Sequence, residues 1–244
     1  MGGELSGKVA LVTGGGAGLG LAIVEGLAAA GAIPVLVGRR PEPLAAAVAR
    51  LGGDALGIPA DIANEDNVAA AFAQVDQRFG RIDLLINNAG VGVDKPVDEL
   101  SLAEWRSVID TNLTGSFLCA RAAFRMMKRT GGGRIINIGS IASGMPRANG
   151  SAYAATKRGL DGLTRAWSLE GREHGIAVSI LHPGAVHAGF QGGPNMTAWG
   201  GAPFEPMGPE AVARIVVVMA SLPPEIAILE ATMLPIMQPF LGRS

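Results

Sequence analysis

The chain has one cysteine, one tyrosine and three histidines among its 244 residues, and each scarcity removes a class of explanation. Cys119 has no partner for an internal disulfide, and its apolar helical surroundings mark it as a buried structural thiol. His182 and His187 lie close together, but no third ligand stands at a convincing spacing, so no metal site is expected. Charge of one sign is also lacking: 20 Lys and Arg face 21 Asp and Glu, scattered rather than clustered. That balance argues against a nucleic-acid footprint or a polybasic membrane patch. No apolar run approaches the length of a membrane span. The opening Met-Gly-Gly-Glu-Leu-Ser lacks both a basic n-region and a long apolar h-region. It fits the loose acylation pattern Met-Gly-x-x-x-Ser, a match too short to carry weight. A cytoplasmic protein is the expectation.

What is abundant is apolar surface, with 48% hydrophobic residues and no composition shift, linker or charge block to divide the chain. One domain over residues 1–244 is expected. Short apolar runs at 8–13, 33–38, 54–60, 82–87, 133–139, 176–181 and 226–234 read as strands. Helical patterns lie between them at 18–30, 41–51, 65–79, 101–129, 151–174 and 208–221. In the longest, Leu102, Trp105, Val108, Ile109, Asn112, Leu113 and Phe117 recur at helical spacing, and Ser101-Leu-Ala-Glu104 is a capping-box signal. Such alternation predicts an α/β fold, a parallel sheet covered by helices on both faces.

One stretch breaks the rhythm. From Pro183 to Pro209 the chain is rich in Gly and Pro, with Phe190, Met196, Trp199 and Phe204 spaced along it. A loop of this length inside a domain suits a substrate lid, and packing against the domain or another subunit is the alternative.

Two local patterns carry chemistry. Val9 to Val12 run straight into Thr13-Gly-Gly-Gly-Ala-Gly-Leu-Gly20, a glycine-rich turn between a strand and an apolar helix. Gly14 allows a sharp turn, Gly18 a close approach of backbone to a pyrophosphate, and Gly20 tight packing of helix on sheet. The helix start offers free N–H groups to phosphate. Farther on, Tyr153 and Lys157 share one helix face, and Ser140 closes the apolar run Arg134 to Gly139. A phenol beside an ammonium suits proton transfer, which hydride transfer to a carbonyl requires.

Thr13-Gly-x-x-x-Gly-x-Gly20, Asn87-Asn88-Ala89-Gly90, Asn112, Ser140, Tyr153-x-x-x-Lys157 and Pro183-Gly184 occur in this order. Together they resemble the short-chain dehydrogenase/reductase family across almost the whole chain. The resemblance implies a Rossmann-type doubly wound sheet of about seven parallel strands. It also implies a nicotinamide cofactor, a small carbonyl or alcohol substrate, and a homodimer or homotetramer. It assigns Tyr153 as acid or base, Lys157 as its electrostatic partner and ribose ligand, and Ser140 as donor to the substrate oxygen. Asn112 would distort its helix and hold a water leading to Lys157.

Cofactor contacts carried over in the same way are Gly14, Gly16, Ala17, Gly18, Leu19 and Gly20 for the phosphates. Asp61 and Ile62 would flank the adenine, Asn88, Ala89 and Gly90 the adenosine ribose, and Pro183, Gly184 and Val186 the nicotinamide end. Where NAD-selective relatives place an aspartate at the end of the second strand, this chain has Gly38, followed by Arg39 and Arg40. The repelling carboxylate is missing and a cation is available, so NADP(H) is expected ahead of NAD(H). Ala17, where many NADP-using relatives carry a basic residue, points the other way, and two solvated arginines remain an alternative. Val91, Val93, Met145, His187 and Phe190, with Ser140, are the expected substrate contacts. Ala188 replaces a threonine common in relatives, and the usual Val-Asp-Gly-Gly ending is absent. A nucleotide-sensing scaffold is the non-enzymatic alternative, but Ser140, Tyr153 and Lys157 are all in place.

Overall fold

The computed structural model describes residues 3–187 and 204–240. Its strands are β1 (Val9–Thr13), β2 (Ile33–Gly38), β3 (Leu56–Pro59), β4 (Leu84–Asn87), β5 (Gly133–Ile138), β6 (Ile176–Pro183) and β7 (Glu230–Met233). They form one seven-stranded sheet in the order β3-β2-β1-β4-β5-β6-β7, with every pair parallel. The helices are α1 (Gly18–Ala29), α2 (Pro41–Leu51), α3 (Glu65–Phe79), α4 (Leu102–Ile109), α5 (Gly115–Thr130), α6 (Ser151–Gly171) and α7 (Pro209–Ser221). None of them is long and apolar enough to cross a membrane.

Alternation along the strands explains why they read as unbroken apolar runs. Val9 and Leu11 of β1 enter a core with Phe72, Val75, Leu118, Met127 and Trp167 from α3, α5 and α6. Ala10 and Val12 point the other way, into a core with Ile23, Leu27, Val212 and Val216 from α1 and α7. Both faces of β1 are therefore buried, so neither set of alternate positions from Val9 to Val12 is polar. The strand order reverses between β1 and β4, and there the carboxyl ends of the strands open a crevice.

The expected elements are all present, with two informative differences. The long helix predicted over 101–129 is divided by a wide, π-helical turn, Asp110–Thr114, between α4 and α5. Each inserted residue rotates the downstream helix by about 100°, so a stripe counted at 3.6-residue spacing does not continue through it. Leu118 and Cys119 consequently face the core, whereas Phe117 is 40% exposed. Leu102, at the other end of the same stripe, is also exposed. The second difference is β7, shorter than the predicted 226–234. Upstream of it the Ile226 carbonyl accepts from the Arg134 guanidinium and the Leu229 carbonyl from the Ile180 N–H.

The loop expected over 183–209 falls partly outside the described residues, and Ala188, Phe190, Met196 and Trp199 lie there. Its two described flanks meet in a parallel bridge between Val186 and Met207. The Met207 N–H donates to Ala185 O and the His187 N–H to Met207 O, both at 2.9 Å.

Candidate active site

The glycine-rich turn expected to hold phosphate joins β1 to α1. Thr13 ends β1, and Gly14 turns the chain at φ +69°, its N–H bonded to Val37 O at 2.7 Å. Gly18 opens α1 at φ +52°. Gly20 has a different reason to be glycine: a Cβ there would stand 2.1 Å from Gly14 O and 2.6 Å from Asn88 Nδ2. Helix and turn thus touch backbone to backbone. The first turn of α1 has no side-chain cap and no acidic residue, so its N–H groups are available to an anion.

This helix start borders a cavity of about 530 Å³ over the carboxyl ends of β1 to β4. Its lining includes Gly14, Gly16 and Ala17, Gly38, Arg39 and Arg40, and Asp61, Ile62, Ala89, Gly90 and Val91. Arg39 and Arg40 are exposed, and neither makes an ion pair with another described residue. A Cβ at Gly38 would meet only Leu44 Cδ2, at an ordinary 3.7 Å. Glycine at 38 is therefore not imposed by packing; it leaves the mouth beside the arginines uncharged. The Asp61 carboxylate accepts the Ala63 N–H at 3.0 Å. A helix start with available N–H groups, a cavity of this size beside it and guanidinium groups without an ion pair among the described residues suit a dinucleotide.

Asn88 serves the scaffold here. Its amide donates to Thr13 O at 2.9 Å, while Thr13 Oγ1 accepts the Asn88 and Ala89 N–H groups at 3.0 Å. Those bonds lock the β1 and β4 ends together. Asn87 similarly bridges to Asn137 Oδ1 on β5 at 2.9 Å.

The residues expected to react, Ser140, Tyr153 and Lys157, lie just after β5 and in the first turns of α6. Ser140 follows β5 in extended conformation, and its Oγ accepts the Ala142 N–H at 3.1 Å. The hydroxyl proton is thereby left to donate elsewhere. The short 3₁₀ turn Ile141–Ser143 next to it packs against α6, which carries Tyr153 and Lys157. Lys157 is 5% exposed, and its ammonium donates to Ile138 O at 2.7 Å. The same Nζ is 5.5 Å from the centroid of the Tyr153 ring.

Asn112, 1% exposed, lies in the π-helical turn. Its side chain accepts the Val91 N–H at 2.8 Å and donates to Val91 O at 2.9 Å and Thr156 Oγ1 at 3.2 Å. It thus ties the loop after β4 to α6. Thr156 in turn donates to Tyr153 O at 2.8 Å.

Val93 and Met145 sit on two loops joined by a Lys95 N–H to Asn149 O bond of 2.9 Å. His187 is exposed and pairs with Glu205 at 2.9 Å at the loop's neck, while Phe190 lies outside the described residues. Pro183 ends β6, and Gly184 donates to Met233 O at 2.7 Å. The bridge to Met207 uses Ala185 O and the His187 N–H, not the amide or carbonyl of Val186. Cys119 is buried and its thiol is pushed up to about 12 by burial, which fits a packing role.

Three contributors were not legible in the sequence. Thr111 lines the cavity because the π-helical turn presents it there, and helical spacing gives no hint of that. Pro43 and Leu44 do so from the start of α2, where Pro at the first turn was the one available signal.

The family model described as short chain dehydrogenase matches residues 8–197. The cis-4-hydroxycyclohexanecarboxylate dehydrogenase of Sinomonas cyclohexanicum is 36% identical over 229 residues, 91% of this chain and 92% of that protein. The 3-ketoacyl-(acyl-carrier-protein) reductase of Brucella melitensis, solved with NADH, superposes with a TM-score of 0.87 at 28% identity, covering 96% and 99% of the two chains. A metagenomic short-chain oxidoreductase solved with NADP superposes at 0.83 with 34% identity, covering 96% and 100%. Agreement in sequence along nearly the whole chain, and in the parallel sheet that carries the site, identifies this protein as a member of the short chain dehydrogenase family, an NAD(P)-dependent oxidoreductase acting on CH–OH or C=O groups.

Proposed function

We propose that the chain transfers hydride between NADP(H) and a ketone, aldehyde or secondary alcohol, with Tyr153 as the general acid and base. The carrying observation is the buried Lys157 ammonium, fixed on Ile138 O at 2.7 Å and 5.5 Å from the Tyr153 ring. The dinucleotide fits the residues present: the uncapped α1 start receives the diphosphate, and Asp61, Ile62, Ala89 and Gly90 surround the adenosine. Arg39, with Arg40 beside it, pairs with a 2′-phosphate that no carboxylate at 38 repels. Val186, whose backbone groups make no hydrogen bond to another described residue, offers them to the carboxamide. When bound, the nicotinamide supplies or accepts the hydride.

During reduction negative charge grows on the carbonyl oxygen. Ser140 Oγ–H donates to that oxygen and holds it, and Tyr153 delivers the proton. The resulting phenolate is stabilised by Lys157. In the oxidative direction the same phenolate removes the alcohol proton. Asn112 keeps the loop carrying Val91 against α6, fixing one wall of the substrate space. Val91, Val93 and Met145 make that space mainly apolar. His187 Nε2 and the Glu205 carboxylate hold each other at the loop's neck beside it.

Reduction of a carbonyl panel followed by NADPH absorbance tests this, with 4-oxocyclohexanecarboxylate included because a relative is named for the corresponding alcohol. Tyr153→Phe is expected to lower kcat by about 10²–10⁴-fold with little change in coenzyme binding. Undiminished turnover by that variant sinks the assignment. Ala17, in place of a basic residue, favours a second reading in which NAD(H) serves, and the ratio of kcat/KM with the two coenzymes separates them. Exposed Phe117 and Leu169 on neighbouring helices fit a homo-oligomer, which sedimentation velocity measures directly.

A further inference from the structure

His182, which the mechanism above does not use, lies 3% exposed at the end of β6, beneath Ser140. Its Nδ1 is 3.2 Å from Ser140 N and 3.1 Å from Ser140 O. The last regular ladder bond before this point is the Gly139 N–H to Leu181 O, at 2.7 Å. Ser140 has left the sheet, and its N–H finds a ring nitrogen where a strand carbonyl would otherwise stand. The ring also presses on the preceding residue: a Cβ at Gly139 would be 2.5 Å from Nδ1. Gly139 is glycine because the imidazole occupies that space.

The far side of the ring decides what Nδ1 can do. Nε2 of His182 and Oδ1 of Asp161 are both buried, and neither has a well-aligned hydrogen bond among the described residues. They face each other at 3.4 Å, and Glu230 Oε1 is 3.8 Å from the same nitrogen. Each carboxylate has its own arginine on α6, Arg158 for Asp161 and Arg165 for Glu230. Of the two neutral tautomers, one with a bare Nε2 would oppose lone pairs to two carboxylates, so the tautomer protonated at Nε2 suits these surroundings. Nδ1 then carries the lone pair and accepts the Ser140 N–H.

We infer that His182, oriented by Asp161, is a positioning residue that holds Ser140 in the conformation from which its hydroxyl serves the substrate oxygen. This rests on the reading of Ser140 as that donor. The arrangement resembles the support of a metal-binding histidine by a carboxylate, where losing the outer partner costs about 10–100-fold. A ligating or reacting group displaced by about 1 Å is penalised on a similar scale.

The test uses the full chain with NADPH and 4-oxocyclohexanecarboxylate, or the panel ketone that turns over fastest. His182→Leu keeps bulk but removes the acceptor, and should lower kcat by about 10–100-fold while NADPH affinity, read by fluorescence, moves less than about 3-fold. His182→Asn places an amide oxygen near the Nδ1 position and should recover most of that loss. A kcat for His182→Leu within about 2-fold of the parent, or equal damage in both variants, overturns the proposal. Independently of turnover, and decisive if His182→Leu does not fold, a 1H–15N spectrum of histidine-labelled protein should show the neutral ring protonated at Nε2. Protonation at Nδ1 instead refutes it. Ser140→Ala separates the two levels: full activity in that variant removes the role of Ser140 itself, while the tautomer still reports on the His182–Asp161 contact.

Discussion

The side-chain oxygen of Gln238 accepts the N–H of Ala185 at 2.8 Å, so the end of the described chain grips the turn after β6. Gly184 fits beneath this contact, since a Cβ there would be 2.2 Å from the same oxygen. The grip stands just before Val186, so the tail braces the chain where it leaves β6. Ala185 is 5% exposed, which leaves its N–H without water if the amide is removed. Gln238→Ala should therefore lower stability by about 1–2 kcal/mol. Gly184→Ala displaces the same oxygen, so the double variant should be less destabilised than the sum of the singles. Denaturant unfolding of all four proteins reads that coupling; strict additivity would mean the two residues act separately.

The proposed preference for NADP(H) makes Arg39 and Gly38 the positions to test. Arg39→Ala should cut kcat/KM for NADPH by about 10-fold, the worth of one charge-assisted hydrogen bond, and leave NADH use nearly unchanged. Gly38→Asp is sterically open, with only Leu44 Cδ2 near its new Cβ, and puts a carboxylate where a 2′-phosphate would lie. Preference should then move towards NADH. A Gly38→Asp protein with its original NADPH preference would show that this edge does not meet the 2′ position.

Most of the sheet could be read from the sequence because burial on both faces leaves a simple signature. Val9 to Val12 and Arg134 to Ile138 are short apolar runs bounded by glycine turns, and both are strands. The Tyr153–Lys157 pair was legible for a similar reason, since one regular helix fixes their relative direction. What failed depended on irregular geometry. Thr111 and Phe117 are turned by the π-helical segment, which has no periodic signal of its own. His182 was recognisable as a histidine near the site, but its bond to a backbone amide depends on where β5 leaves β6, a relation that arises only on folding.

Gly20 is the least replaceable position of the phosphate turn. The atom its Cβ would meet, at 2.1 Å, is the backbone oxygen of Gly14, which cannot swing aside as a side chain can. Gly20→Ala should cost about 1–3 kcal/mol or more, the range for overpacking, and should weaken coenzyme binding by shifting α1 away from β1. Thermal melts with and without NADPH test both effects. A variant with parental Tm and ordinary stabilisation by coenzyme would mean that the turn relaxes freely.

Acid should loosen the start of α4. Glu104 closes the capping box there, taking the Ser101 N–H at 3.0 Å and reaching Lys95 with its other oxygen. The Lys95 hydrogen bond, then those from Ser101, lower its carboxyl pKa from 4.5 to about 2. A depressed folded-state value means that the ionised form belongs to the folded protein. Its stabilising effect is complete above the ordinary value of 4.5 and fades as pH falls through about 2. Because Lys95 also donates its backbone N–H to Asn149 O, protonating Glu104 releases one anchor of the loop between Val93 and α4. A carbon-detected titration should place the Glu104 midpoint near 2, and Lys95→Met should raise it towards 4.5. Amide exchange at Ser101 and Glu104 should quicken over the same interval relative to the centre of α6. A midpoint that stays unchanged in Lys95→Met would assign the shift to the serine bonds alone and detach the loop from the helix start.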